Sequence, residues 1–96
     1  MRYGDLTLDQ KTWTVAIGEK KVELTKTEFL LLQKLMSDPL RVFTRDELVD
    51  AAWADAAPVD SNVLDVHISN LRRKLRQGGS RELIRTVSRV GYALAS

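Results

Sequence analysis

Leu24-Thr25-Lys26-Thr27-Glu28-Phe29-Leu30-Leu31-Leu32-Gln33-Lys34-Leu35-Met36-Ser37-Asp38-Pro39-Leu40-Arg41-Val42-Phe43-Thr44-Arg45-Asp46-Glu47-Leu48 holds two helix starts built the same way. In Thr25-Lys26-Thr27-Glu28 the Thr25 hydroxyl can accept from the Glu28 amide while the Glu28 carboxylate returns to the Thr25 amide, and Leu24 and Phe29 form the matching hydrophobic staple. Thr44-Arg45-Asp46-Glu47 repeats the device with Phe43 and Leu48. The first helix carries Phe29, Leu32, Leu35 and Met36 and stops at Ser37-Asp38-Pro39, because the residue before a proline avoids helical geometry. The second carries Leu48, Val49, Ala52 and Trp53 and runs out in Ala54-Asp55-Ala56-Ala57-Pro58.

Outward from this pair, residues 3–24 alternate with period two. Tyr3, Leu6 and Leu8 precede a polar break at Asp9-Gln10-Lys11, Trp13, Val15 and Ile17 follow up to Gly18, and Lys21-Val22-Glu23-Leu24 forms a third run. The pattern predicts a three-stranded antiparallel meander with Tyr3, Trp13 and, from the helix, Phe29 in the core. A third helix is capped by Asp60 or Ser61 and runs to about Gln77, where Gly78-Gly79 ends it. Leu83 to Val87, then Ser88-Arg89-Val90-Gly91, then Tyr92 to Leu94 reads as a hairpin, with Tyr92 anchoring it to the helices. The fold class is therefore α+β: an N-terminal antiparallel sheet over residues 1–24, three helices over 25–77 and a terminal hairpin over 82–95.

On a wheel of about 100° per residue, Leu64, Ile68, Leu71 and Leu75 form one stripe that must face the core. Asn62, Val66, Ser69 and Arg73 lie opposite, with Asn70 on one shoulder and Asp65, Arg72 and Arg76 on the other. Asn can bond adenine, Arg can bond guanine or phosphate, and an exposed Val can meet a thymine methyl, so this face suits the major groove of DNA. A solvated helix face is the competing reading. Against it stand the Arg72-Arg73-Lys74-Leu75-Arg76 run with no interleaved acid, the valine amid polar residues, and the short helix just upstream, as in a helix-turn-helix.

Charge supports a polyanionic partner. The net charge is +2 over 96 residues, but residues 1–60 carry eight Lys/Arg against eleven Asp/Glu, whereas residues 61–96 carry seven against two. The absence of cysteine excludes a disulfide scaffold, a thiolate zinc site and a cysteine nucleophile. No apolar run approaches the roughly 18 residues of a membrane span and no basic-then-apolar leader opens the chain, so a single cytoplasmic domain is expected, with no membrane contact. His67 stands alone, without a second His, a Cys or clustered carboxylates, which fits packing and a phosphate hydrogen bond rather than a metal or catalysis. Gly78-Gly79 follows no strand and is no phosphate-binding loop. No catalytic residue, metal site or cofactor is expected.

Several motifs resemble one family. Leu24-Thr25-Lys26-Thr27-Glu28-Phe29 is similar to the L-T-x-x-E-F start of the OmpR/PhoB response-regulator output domains, Arg41 to Leu48 to their R-V-[LF]-[ST]-R-x-x-L step, and Trp53 to their tryptophan. Asp65-Val66-His67-Ile68 with Leu71-Arg72-Arg73-Lys74-Leu75 resembles D-V-H-I-x-x-L-R-x-K-L, and Thr86-Val87 with Val90-Gly91-Tyr92 resembles T-V-x-x-V-G-Y. The resemblance implies a winged helix-turn-helix whose third helix enters the major groove and whose hairpin wing touches the adjacent minor groove. It also implies binding to tandem half-sites of double-stranded DNA as a head-to-tail dimer, under a phosphorylated receiver domain that this chain does not contain.

Position by position, the resemblance puts base reading on Asn62, Val66, Ser69, Asn70 and Arg73. It puts phosphate contacts on Arg72, Trp53 and the Thr44-Arg45 helix entrance, which offers free amides to an anion, and matches Thr86 to a wing threonine that holds the backbone. His67 and Arg76, on the same helix as Arg72, join the expected backbone contacts. Ser88 and Arg89 fall on the wing. Many relatives carry arginine where Ser69 and Asn70 stand, which shifts the balance from guanine contacts toward adenine. The wing arginine is displaced by one position to Arg89, which by strand alternation moves it to the other side of the hairpin. Leu40 replaces a common glycine, so a different turn after Pro39 is expected. Residues 54–59 correspond to a segment through which some family members contact RNA polymerase, although Ala, Asp and Pro alone favour a plain connector. The alternative to DNA binding is a winged-helix protein-interaction module contacting the transcription machinery; an enzyme is the poorest fit, for want of a nucleophile–base pair.

Overall fold

A computed structural model describes residues 1–54, 60–79 and 81–95. Four strands open the chain, β1 (Arg2–Tyr3), β2 (Leu6–Asp9), β3 (Thr14–Ile17) and β4 (Lys20–Val22), paired antiparallel in the order β1-β2-β3-β4. Leu8 faces Val15, and Val15 faces Val22, which lays one apolar row across the sheet. The meander therefore has one more strand than the expected three, because Gly4 in the left-handed region turns the chain between Tyr3 and Leu6. Trp13 corrects the expected alternation. It sits in the β2–β3 turn at φ 57, is 51% exposed, and stacks on Phe29 with ring centroids 4.7 Å apart instead of entering the core. Tyr3 is half-buried at the core margin, where its hydroxyl donates to the Ala95 carbonyl at 2.6 Å.

Both capping boxes form. Thr25 caps α1 (Lys26–Ser37) and Thr44 caps α2 (Arg45–Trp53), each accepting from the glutamate amide three residues on while that glutamate accepts from the cap amide. Asp60 caps α3 (Ser61–Gln77) by accepting from the Asn62 amide at 3.1 Å. Gly78 closes that helix and Gly79, at φ 98, turns the chain away. Phe29, Leu32 and Leu35 of α1, Leu48 of α2 and Leu64, Ile68, Leu71 and Leu75 of α3 are buried in one cluster with Leu6, Leu8 and Val15 of the sheet.

The terminal hairpin, β6 (Ile84–Val87) and β7 (Gly91–Leu94), gains an unexpected third strand. β5 (Phe43–Thr44) pairs with β7, Phe43 opposite Tyr92, so the order is β5-β7-β6. The wing is thereby stitched to the entrance of α2. Gly91 makes this possible, since a Cβ there would lie 1.9 Å from the Phe43 carbonyl oxygen.

Two turns also revise the sequence expectation. Leu40 occupies φ 74 and the Arg41 amide donates to the Asp38 carbonyl at 3.1 Å, so the turn keeps the geometry a glycine would give it. Arg89 lies in the wing turn at φ 65, between Val87 and Val90, whose carbonyl and amide bond at 3.0 Å. Strand alternation does not apply there, so Arg89 stands at the wing tip rather than on the opposite side of the hairpin.

Candidate nucleic-acid interface

α3 separates its two faces cleanly. Leu64, Ile68, Leu71 and Leu75 are at most 2% exposed, whereas Asn62, Val66, Ser69 and Arg73 are exposed and Asn70 is half-buried. Val66 stands out at 58% exposure on a polar surface. None of these five side chains makes a hydrogen bond or ion pair among the described residues. Such a face is unengaged by the fold and offers amides, a hydroxyl, a guanidinium and a branched methyl pair outward.

Two further cations of α3, Lys74 and Arg72, are turned to internal use, and Arg76 makes a surface pair. Lys74 Nζ donates at 2.7 Å to Glu28, whose side chain is 2% exposed. Burial pushes the Glu28 carboxyl up, but Lys74 and the Thr25 amide outweigh it and hold the group below the ordinary carboxylate range. Arg76 pairs with Glu82 at 3.3 Å. Arg72 reaches the wing, its Nη2 donating to the Ile84 carbonyl at 2.9 Å and to Thr86 Oγ1 at 2.7 Å. Of the basic run, Arg73 alone makes no ion pair among the described residues.

Arg45 was expected on the DNA backbone, yet its guanidinium holds Asp65 in a forked pair, Nη1 to Oδ1 at 2.8 Å and Nη2 to Oδ2 at 2.9 Å. Tyr92 completes the group by donating its hydroxyl to Asp65 Oδ1. The two donors hold the Asp65 carboxyl below its ordinary range, Arg45 contributing most. Burial and the neighbouring carboxylate push the Tyr92 phenol up. Three elements meet in this group: the α2 entrance, α3 and β7. Composition carried a faint sign of it, because Asp65 is one of only two acids in residues 61–96.

The expected free amides at the α2 entrance are largely used within the protein. Arg45 N–H donates to the Val90 carbonyl at 3.2 Å and Glu47 N–H to Thr44 Oγ1 at 3.2 Å. Thr44 itself is exposed, as are Thr86, Ser88 and Arg89 on the wing. Trp53 and His67 are half-buried and meet edge to face at 5.3 Å. Residues 55–59, which carry most of the segment compared with polymerase-contacting loops, lie outside the described residues.

A four-stranded sheet, three helices with an apolar-backed and polar-fronted third, and a hairpin sewn to the second helix define a winged helix-turn-helix domain. The family model for the C-terminal domain of transcriptional regulatory proteins matches residues 18–94. The response regulator MprA of Mycobacterium tuberculosis is 44% identical over 94 residues, which are 98% of this chain and 41% of MprA. The DNA-binding domain of the response regulator AdeR, solved in complex with an intercistronic region, superposes with TM-score 0.91 at 31% identity, covering 98% of this chain and 97% of that one. The Klebsiella pneumoniae RstA DNA-binding domain, solved with the RstA box, gives 0.80 at 31% identity, covering 99% and 95%. The chain belongs to the OmpR/PhoB-type C-terminal domains of response regulators, and it spans about two-fifths of the length of the curated relatives it matches.

Proposed function

We propose that this domain binds double-stranded DNA sequence-specifically and regulates transcription as the output half of a response regulator. The observation that carries the reading is the unengaged outer face of α3, with Val66 exposed at its centre. Asn62 and Asn70 suit adenine edges, Arg73 guanine or phosphate, Ser69 either, and Val66 a thymine methyl. Thr44, Trp53, His67, Arg76 and Thr86 flank this face and serve the backbone, while Ser88 and Arg89 carry the wing tip toward the minor groove. Arg45 and Arg72, engaged within the protein, hold the frame instead. By likeness to the family, an N-terminal receiver outside this chain controls pairing of two domains head to tail on tandem half-sites, in the cytoplasm. Residues 54–59 correspond to the segment through which some family members contact RNA polymerase, and their composition favours a plain connector.

Gel-shift titration on duplexes selected from random DNA tests the reading. Affinity should fall steeply with salt, and Asn70→Ala should cost about 1–3 kcal/mol while relaxing preference at one base pair. Binding that ignores salt removes DNA as the partner; unchanged preference in Asn70→Ala removes α3 as the reader.

A further inference from the structure

From the outward shoulder of α3, the Arg72 side chain runs to wing strand β6. Its Nη2 and Nε both donate to the Ile84 carbonyl, at 2.9 and 3.2 Å, and Nη2 also donates to Thr86 Oγ1 at 2.7 Å. Glu82 Oε1 lies 3.5 Å from Nε, and the guanidinium carbon stands 5.5 Å from the centre of the Tyr92 ring. One planar fork thus touches the approach to β6, two residues of β6 itself and a ring of β7. The only other side-chain hydrogen bond from β6 or β7 to α3 among the described residues is Tyr92 to Asp65, on β7 directly across from Thr86, so Arg72 alone ties β6 to the helix. A two-stranded hairpin is pliable alone, and β5 steadies only Gly91 and Tyr92.

We propose that Arg72 is a positioning residue that fixes the wing against α3, so that both reach DNA as one rigid reader, and that it is not a phosphate ligand. The side chain is 23% exposed and commits Nε and Nη2 to the clasp, so a phosphate contact through those donors would have to break it. A clasp of this shape needs the guanidinium fork, whereas a phosphate contact accepts any cation. The proposal rests on the DNA-binding reading, so the experiment has one arm without DNA.

In the free domain, amide hydrogen exchange is compared for wild type, Arg72→Lys, Arg72→Met and Thr86→Val. The expected result is at least fivefold faster exchange across residues 84–92 in both Arg72 variants, a smaller rise in Thr86→Val, and unchanged rates in α1. Unchanged wing exchange in all three variants overturns the clasp. In the second arm, a duplex recovered by selection is compared with the same duplex trimmed of its flank. Wild type should gain affinity from the flank; both Arg72 variants should lose most of that gain, with the salt slope unchanged. Full rescue by lysine, or an equal loss on both duplexes with a slope lowered by about one, overturns the proposal in favour of a phosphate contact. Failure of wild type to bind any duplex overturns the functional reading alone, since the exchange arm still decides the clasp.

Discussion

Leu40 shows how far a backbone requirement can override a residue's preference. A left-handed leucine is strained by about 1–2 kcal/mol, and this one is tolerated because its side chain is 52% exposed and meets no wall. Leu40→Gly should release that strain against the extra chain entropy of glycine, raising stability by about 0.5–1 kcal/mol and the melting temperature by a few degrees, as thermal denaturation would report. A lower midpoint would mean that the leucine contributes contacts outweighing the strain. Such residues are hard to read from sequence. Trp13 carries every mark of a strand core residue, including correct spacing from Val15, and only its φ of 57 places it in a turn.

At the scale of elements, legibility followed the range of the interaction. Each helix start is written within four residues, through Thr25 with Glu28 and Thr44 with Glu47, and both boxes formed. The strand at Phe43–Thr44 has two residues, too few for any period, and exists only because Gly91 and Tyr92 pass beside it. The same dependence makes Gly91 the weak point of the wing. Gly91→Ala drives a methyl into the Phe43 carbonyl. It should destabilise the domain by about 3 kcal/mol in urea titration, with early loss of exchange protection in residues 43–44 and 84–94. A neutral result would require β5 to detach without affecting the core.

Across the whole molecule, the charge polarity along the chain is real but partly neutralised by folding. The acids that answer the basic last third include Glu28, forty-six positions before its partner Lys74, a pairing no local pattern could reveal. Lys74→Met would leave the buried Glu28 with the Thr25 amide alone and should cost about 1–3 kcal/mol at neutral pH. Because the folded Glu28 carboxyl titrates below its unfolded value, its contribution is full above the unfolded pKa and is lost as pH falls through the lower folded one. The gap in unfolding free energy between wild type and Lys74→Met should therefore close below about pH 4. A gap that persists at acid pH would assign Lys74 a packing role instead.

Among the described residues the five outward side chains of α3 bond to nothing else, while Arg45, Arg72 and Lys74 are spent on contacts within the fold. Lettering and scaffold are consequently separable. Asn62, Val66, Ser69, Asn70 and Arg73 can be rewritten, by drift or by design, with little risk to folding; on the proposed reading, a new operator preference lies a few substitutions away on an unchanged chassis.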